Sequence, residues 1–148
     1  MPQFESQVQL PAAPEKIFDF ISRPKNLASL SPPDAGLVFV EAPEVLSLGS
    51  IMVCRVQAYG VVQQLEQKIT VFNSPVGFRE ELIKGPIKSY IHDYIIEQQD
   101  DELCVLKNRI EFEPPGGLIG LMVTADKILD QLEDAFAYRR QMLVKAFS

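Results

Sequence analysis

Leu103-Cys104-Val105-Leu106-Lys107-Asn108-Arg109-Ile110-Glu111-Phe112-Glu113-Pro114-Pro115-Gly116-Gly117 is the stretch whose reading decides the fold. Up to Glu113 it alternates. Cys104, Leu106, Asn108, Ile110 and Phe112 share one face, and Lys107, Arg109 and Glu111 the other, which is the period of a strand. Two prolines then end the ladder, because proline has no backbone donor. Downstream the period changes to three and four. Ile128, Leu132, Ala135, Phe136 and Leu143, widened by Leu129, form the stripe of a long helix expected over 124–146. Asp126, Asp130, Glu133 and Asp134 come early and Arg139, Arg140 and Lys145 late, as the helix macrodipole favours. At ~1.5 Å per residue such a helix is roughly 35 Å long, enough to cross a whole sheet.

Upstream, the period of two persists back to Leu37. Strands are expected over 37–41, 51–59, 64–71, 77–83 and 87–98, separated by turn signals at Gly60, Asn73-Ser74-Pro75, Gly85-Pro86 and Gln99-Asp100-Asp101. Near the start, Phe4, Ser6, Val8 and Leu10 alternate with Glu5, Gln7 and Gln9, giving one more strand. Pro14 opens a short helix with Ile17, Phe18, Phe20 and Ile21 as its apolar stripe, and Pro24 stops it. A second short helix is expected over 25–30, ended by Ser31-Pro32-Pro33. The order is strand, two short helices, six strands, long helix. Short turns between successive strands imply an antiparallel meander, and a strongly twisted meander must curl. One helix cannot fill a wide curved sheet, so a hollow is expected beneath it, the usual setting for a small-molecule site. No linker or repeat divides the chain, so 1–148 reads as one domain.

Bulk properties narrow the function. The net charge of -6 disfavours nucleic acid and anionic membrane surfaces, which call for a basic face. No apolar stretch approaches the roughly 20 residues of a membrane span. Met1-Pro2-Gln3-Phe4-Glu5 has neither a basic start nor an apolar run, so no secretory signal and a cytoplasmic location are expected. Cys54 and Cys104 then read as free core thiols. There is no glycine-rich phosphate loop, no Cys-x-x-Cys pair and no nucleophile elbow. One histidine and two dispersed cysteines argue against a metal site, and no cofactor is expected.

The candidate site residues come from strand parity. Tyr90, His92, Tyr94 and Ile96 share a face, opposite Ile91, Asp93, Ile95 and Glu97. Both faces carry apolar residues, so parity alone leaves the inward one open. Phe78, Glu80 and Leu82 share a face of their strand; Gln67 sits between Leu65 and Ile69; Asn108 is the lone polar side chain on its face. Gln67, Glu80, His92 and Asn108 together would be a few polar points in an apolar pocket. Tyr90 and Tyr94 could offer hydroxyls, and Phe78, Phe112 and Phe136 apolar wall. His92 with Glu80 is the one acid–base pair available; the alternative is that these groups only satisfy one another. Met52, Met122 and Met142 are expected in the core.

Four motifs carry a resemblance. They are Phe4-Glu5-Ser6-Gln7-Val8-Gln9-Leu10-Pro11-Ala12-Ala13-Pro14-Glu15-Lys16-Ile17-Phe18-Asp19-Phe20; Gly85-Pro86-Ile87 leading into Tyr90-Ile91-His92-Asp93-Tyr94; Asn108 to Gly117 leading to Leu118 and Gly120; and Phe136-Ala137-Tyr138-Arg139-Arg140. In order and spacing the chain resembles the START/SRPBCC superfamily, which includes the birch pollen allergen and the polyketide cyclase/dehydrase group. The resemblance implies an α+β helix-grip fold: a curved seven-stranded antiparallel sheet, two short helices after the first strand and one long C-terminal helix over the concave face. It also implies that the face of Tyr90, His92 and Tyr94 points inward. The function it implies is binding or transport of a hydrophobic small molecule between sheet and helix. The alternative is a cyclase- or dehydratase-like enzyme using His92 as general acid or base. The expected partner is a hydrophobic small molecule, without nucleic acid or a membrane span, in a monomer or weak homodimer.

Overall fold

The computed structural model describes residues 1–58 and 61–148; Tyr59 and Gly60, the expected end of one strand and its turn, lie outside the described residues. Strand β1 (Gln3–Leu10) leads into helices α1 (Pro14–Ile21) and α2 (Pro24–Ser29) and a 3-10 turn at Pro33–Ala35. Strands β2 (Val38–Glu41), β3 (Ile51–Ala58), β4 (Val61–Asn73), β5 (Gly77–Lys84), β6 (Ser89–Asp100) and β7 (Leu103–Glu113) follow. A single turn, α3 (Ile119–Met122), precedes the long α4 (Ala125–Ala146).

All seven strands form one sheet in the order β1-β7-β6-β5-β4-β3-β2. Every pairing is antiparallel. The meander from β2 to β7 is the one the turn signals imply, and β1 closes onto β7 at the far edge. The register of β4 against β5 shifts at Glu66/Gln67 and again at Ile69/Val71. Such irregularities bend a strand and raise its twist, which curves the sheet. α4 crosses the inner face, where Phe136 lies against the Phe4 ring at 5.1 Å between centroids. This is the helix-grip architecture.

Local chemistry explains the helix ends. Pro14 occupies the first turn of α1, where its missing N–H costs nothing. Pro24 opens α2 as well as closing off α1. Thr124 caps α4, its Oγ1 accepting from the Lys127 amide at 3.3 Å.

Burial divides into two clusters. The larger lies under α1 and α2 and includes Leu10, Ile17, Phe18, Ile21, Ile69 and Leu143. The smaller contains Phe4, Ile110, Phe112, Ile128 and Phe136. One expectation fails: Met122 is 71% exposed, in a turn where Leu118, Ile119 and Leu121 also stand in solvent.

Candidate functional site

The middle of the inner face is built by β5, β6 and β7. β5 approaches β6 so closely at Gly77 that a Cβ there would collide with the Tyr94 carbonyl. Glycine therefore lets Phe78 settle opposite Tyr94 and Glu80 opposite His92. On the other side of β6, Tyr94 pairs with Asn108. Asn108 thus lies diagonal to His92, within reach of a side chain.

Glu80, His92 and Asn108 form a row across the three strands. His92 Nε2 lies 2.8 Å from Asn108 Oδ1, and Nδ1 lies 3.2 Å from Glu80 Oε1. The Asn108 oxygen can only accept, so Nε2 carries the hydrogen. The 3.2 Å contact on the Glu80 side is a hydrogen bond when one of the two partners brings a second hydrogen. All three side chains are buried, Glu80 at 6%, His92 at 2% and Asn108 at 3% exposure. Opposite parity points outward: Arg79 and Asp93 form an ion pair at 2.7 Å on the outer face.

Aromatic rings frame the row. Phe72, Phe78, Tyr94 and His92 stack in sequence at 6.2, 4.5 and 4.0 Å between centroids. Tyr90 meets His92 edge-on at 6.5 Å, and Phe136 descends from α4 to 5.8 Å. Burial pushes both tyrosine hydroxyls above their ordinary value, with the Glu80 charge adding to the effect. Both therefore stay protonated and can donate. Burial also pushes the Cys54 thiol up to about 11, again with Glu80 adding.

Of the residues singled out in the sequence, Phe78, Glu80, Tyr90, His92, Tyr94, Asn108 and Phe136 come together here. Gln67 shares the inner face but sits on β4 opposite Leu82, further toward the β2 side. Phe112 is fully buried in the smaller cluster, where it packs as core. One neighbour was not singled out. Arg139 Nη1 donates to Tyr94 Oη at 3.2 Å, and its guanidinium lies 4.5 Å from the Phe136 ring centroid. The signal was its position three residues after Phe136, which puts both on one helix face.

A separate trough of about 620 Å³ is lined by Val40, Glu41, Val53, Gln63, Gln64, Glu66, Lys84, Gly85 and Pro86. It holds none of the candidate residues. Val53, Gln64 and Glu66 have the outward parity of their strands, so its charged lining belongs to the solvated face. Among the described residues, no group of three or more histidine, cysteine or acidic side chains is placed to hold a metal ion. Nor is any helix among them long and apolar enough to cross a membrane.

The family described as "Polyketide cyclase / dehydrase and lipid transport" matches residues 1–137. The chain belongs to this family. No curated protein matches it. Solved structures share its fold at low identity. A START superfamily protein from Mycobacterium smegmatis is 14% identical, with 99% of each chain covered and a TM-score of 0.72. Major latex-like protein 151 from Panax ginseng is 13% identical, with 97% of each chain covered and a TM-score of 0.66. The di-domain aromatase/cyclase StfQ of the steffimycin biosynthetic pathway is 13% identical, with 98% of this chain and 50% of that one covered and a TM-score of 0.70. This member of the polyketide cyclase and lipid transport family thus has the START-like helix-grip fold.

Proposed function

We propose that the chain is a single cytoplasmic ligand-binding domain, spanning 1–148, that binds or carries a hydrophobic small molecule between the inner face of β5–β7 and α4. The buried row Glu80–His92–Asn108 set among stacked rings carries this reading. Buried polar groups add little stability over apolar side chains of the same size. A polar row in an aromatic wall is, by contrast, the composition of a recognition site. Phe78, Tyr90, Tyr94 and Phe136 supply wall, and Glu80, His92 and Asn108 orient the ligand, with Gln67 further along the same face.

The Glu80–His92 contact also favours a second reading, a cyclase- or dehydratase-like enzyme in which this pair moves a proton. Both ring nitrogens of His92 already face protein partners. A substrate would have to displace Asn108 or Glu80 to reach the imidazole, which weighs toward binding without catalysis.

Native mass spectrometry of the purified protein, before and after organic extraction, tests the proposal. A discrete small-molecule adduct lost on extraction is expected, with weaker retention in Tyr94→Ala. An adduct-free protein that also fails to take up any added apolar compound would refute it.

A further inference from the structure

Among the described residues, Arg139 is the cation drawn into the inner face beside the aromatic row, and its surroundings point to the chemistry of the ligand. It extends from α4 to rest its guanidinium 4.5 Å from the centroid of Phe136 and 6.0 Å from that of Tyr94. Both rings are 3% exposed, so the charged head lies on the interior side of the helix. A guanidinium carries five N–H donors. The hydrogen bond found for it among the described residues is the one to Tyr94 Oη at 3.2 Å.

Other arginines are placed differently. Arg23 pairs with Asp19, Arg79 with Asp93 and Arg109 with Glu5, all within 4.0 Å. Arg140, the next residue, donates to Ser6 Oγ at 2.7 Å. Among the described residues no carboxylate comes within 4.0 Å of Arg139. Glu80 raises its pKa from a distance, but Oε1 of that carboxyl is engaged by His92. Burial works against the charge, but a guanidinium does not lose its proton in proteins, so Arg139 stays charged.

Arg139 is half-buried, and a cation partly withdrawn from water without a counter-ion carries a desolvation cost. A guanidinium stacked on a ring keeps its N–H edge free in its own plane, and that edge is what a carboxylate takes with two parallel hydrogen bonds. We infer that the ligand is an apolar carboxylic acid whose carboxylate docks on Arg139 and Tyr94 Oη while its body lies along the Phe78–Tyr94–His92 rings. This rests on the proposed pocket between sheet and α4 and adds the class of molecule it takes.

The test is calorimetric titration with two matched pairs, decanoate against 1-decanol and 2-naphthoate against its methyl ester. The wild type should bind the acid of at least one pair about ten- to a hundred-fold more tightly than its neutral partner, the range of a charge-assisted hydrogen bond. Arg139→Gln should abolish that preference while keeping the affinity for the neutral compound. Arg139→Lys, which retains charge without the fork, should keep part of it. Thermal melts establish that each variant is folded; should Arg139→Gln not fold, the wild-type ratio and Arg139→Lys decide. Equal wild-type affinity for acid and neutral partner would overturn the carboxylate assignment and leave the pocket standing. An undiminished preference in Arg139→Gln or Arg139→Lys would overturn the role of Arg139. Binding of none of the four compounds by the wild type would overturn the inference together with the pocket.

Discussion

Leu143, near the end of α4, is buried in the larger core with Leu10, Ile17 and Ile21, and Phe147 just beyond packs edge-on against Phe20 of α1 at 5.3 Å. At the other end of the same helix, Ile128 rests on the smaller cluster of Phe4, Ile110 and Phe112, and the preceding turn exposes Leu118, Ile119, Leu121 and Met122. The C-terminal end is thus anchored on a second helix, α1, as well as on the larger core. The N-terminal half packs on the smaller cluster alone, through Ile128 with half-buried Leu129 and Leu132. Phe136 and Arg139 lie over the polar row between them. The exposed turn before α4 has few buried apolar contacts, and such segments open at lower free energy.

Substitutions at graded distances from the anchored end would break or sharpen this contrast. The largest effect is expected for Phe18→Ala. Its ring lies edge-on to Phe72 at 5.2 Å and to Phe78 at 6.1 Å. Losing it should destabilise by about 3–5 kcal/mol in urea unfolding. A cost below about 1 kcal/mol would mean that the anchored end is no better packed than the other. Phe136→Ala should cost about 3 kcal/mol, the lower end for a buried phenylalanine, because half-exposed Leu129 and Leu132 beside it can close in. It would also remove the ring beneath Arg139, so selectivity for acids should fall with stability.

His92→Ala comes next. It strands the buried Glu80 carboxyl and the Asn108 amide, at a cost of about 1–3 kcal/mol. Ligand affinity should change more than stability does; intact affinity would make the row structural. The pH dependence tests Cys54, whose thiol shifts from 9.0 to about 11. The folded state holds this proton more tightly than the unfolded chain. Its contribution is therefore complete below 9.0 and disappears as pH rises through about 11. Cys54→Ala should flatten that alkaline decline in stability, and at pH 8 a thiol reagent should leave Cys54 of the folded protein unmodified. The smallest effect belongs to the exposed turn. Leu121→Ser should change stability by less than about 0.5 kcal/mol, and a larger loss would show that the turn is packed.

Much of the fold was legible because one face of each strand is buried. Leu103–Glu113 alternates in burial along its length and is β7. Thr124, expected to begin the long helix, is its N-cap. The turn at Ile119–Met122 was not legible, because an apolar run broken by glycines has no period to say whether it faces core or solvent. Pro24, expected only as the stop of the first helix, also opens the second, because proline is favoured at the first helical position. Within the site, alternation grouped Tyr90, His92 and Tyr94 on one face, but Ile91 and Ile95 made the opposite face apolar too. That Glu80, His92 and Asn108 touch depends on the mutual register of three strands, which no single strand encodes. Arg139 escaped notice because its place near the end of α4 is already explained by the helix dipole.

The most direct test of the binding reading is to titrate isotopically labelled protein with decanoate and follow its resonances by NMR. The expected result is a saturable shift of the His92 ring nitrogens together with signals of Tyr94, Asn108 and Arg139, while Val53, Glu66 and Lys84 in the outer trough stay unmoved. Shifts confined to the trough, with the His92 ring unchanged, would contradict a ligand site between the sheet and α4.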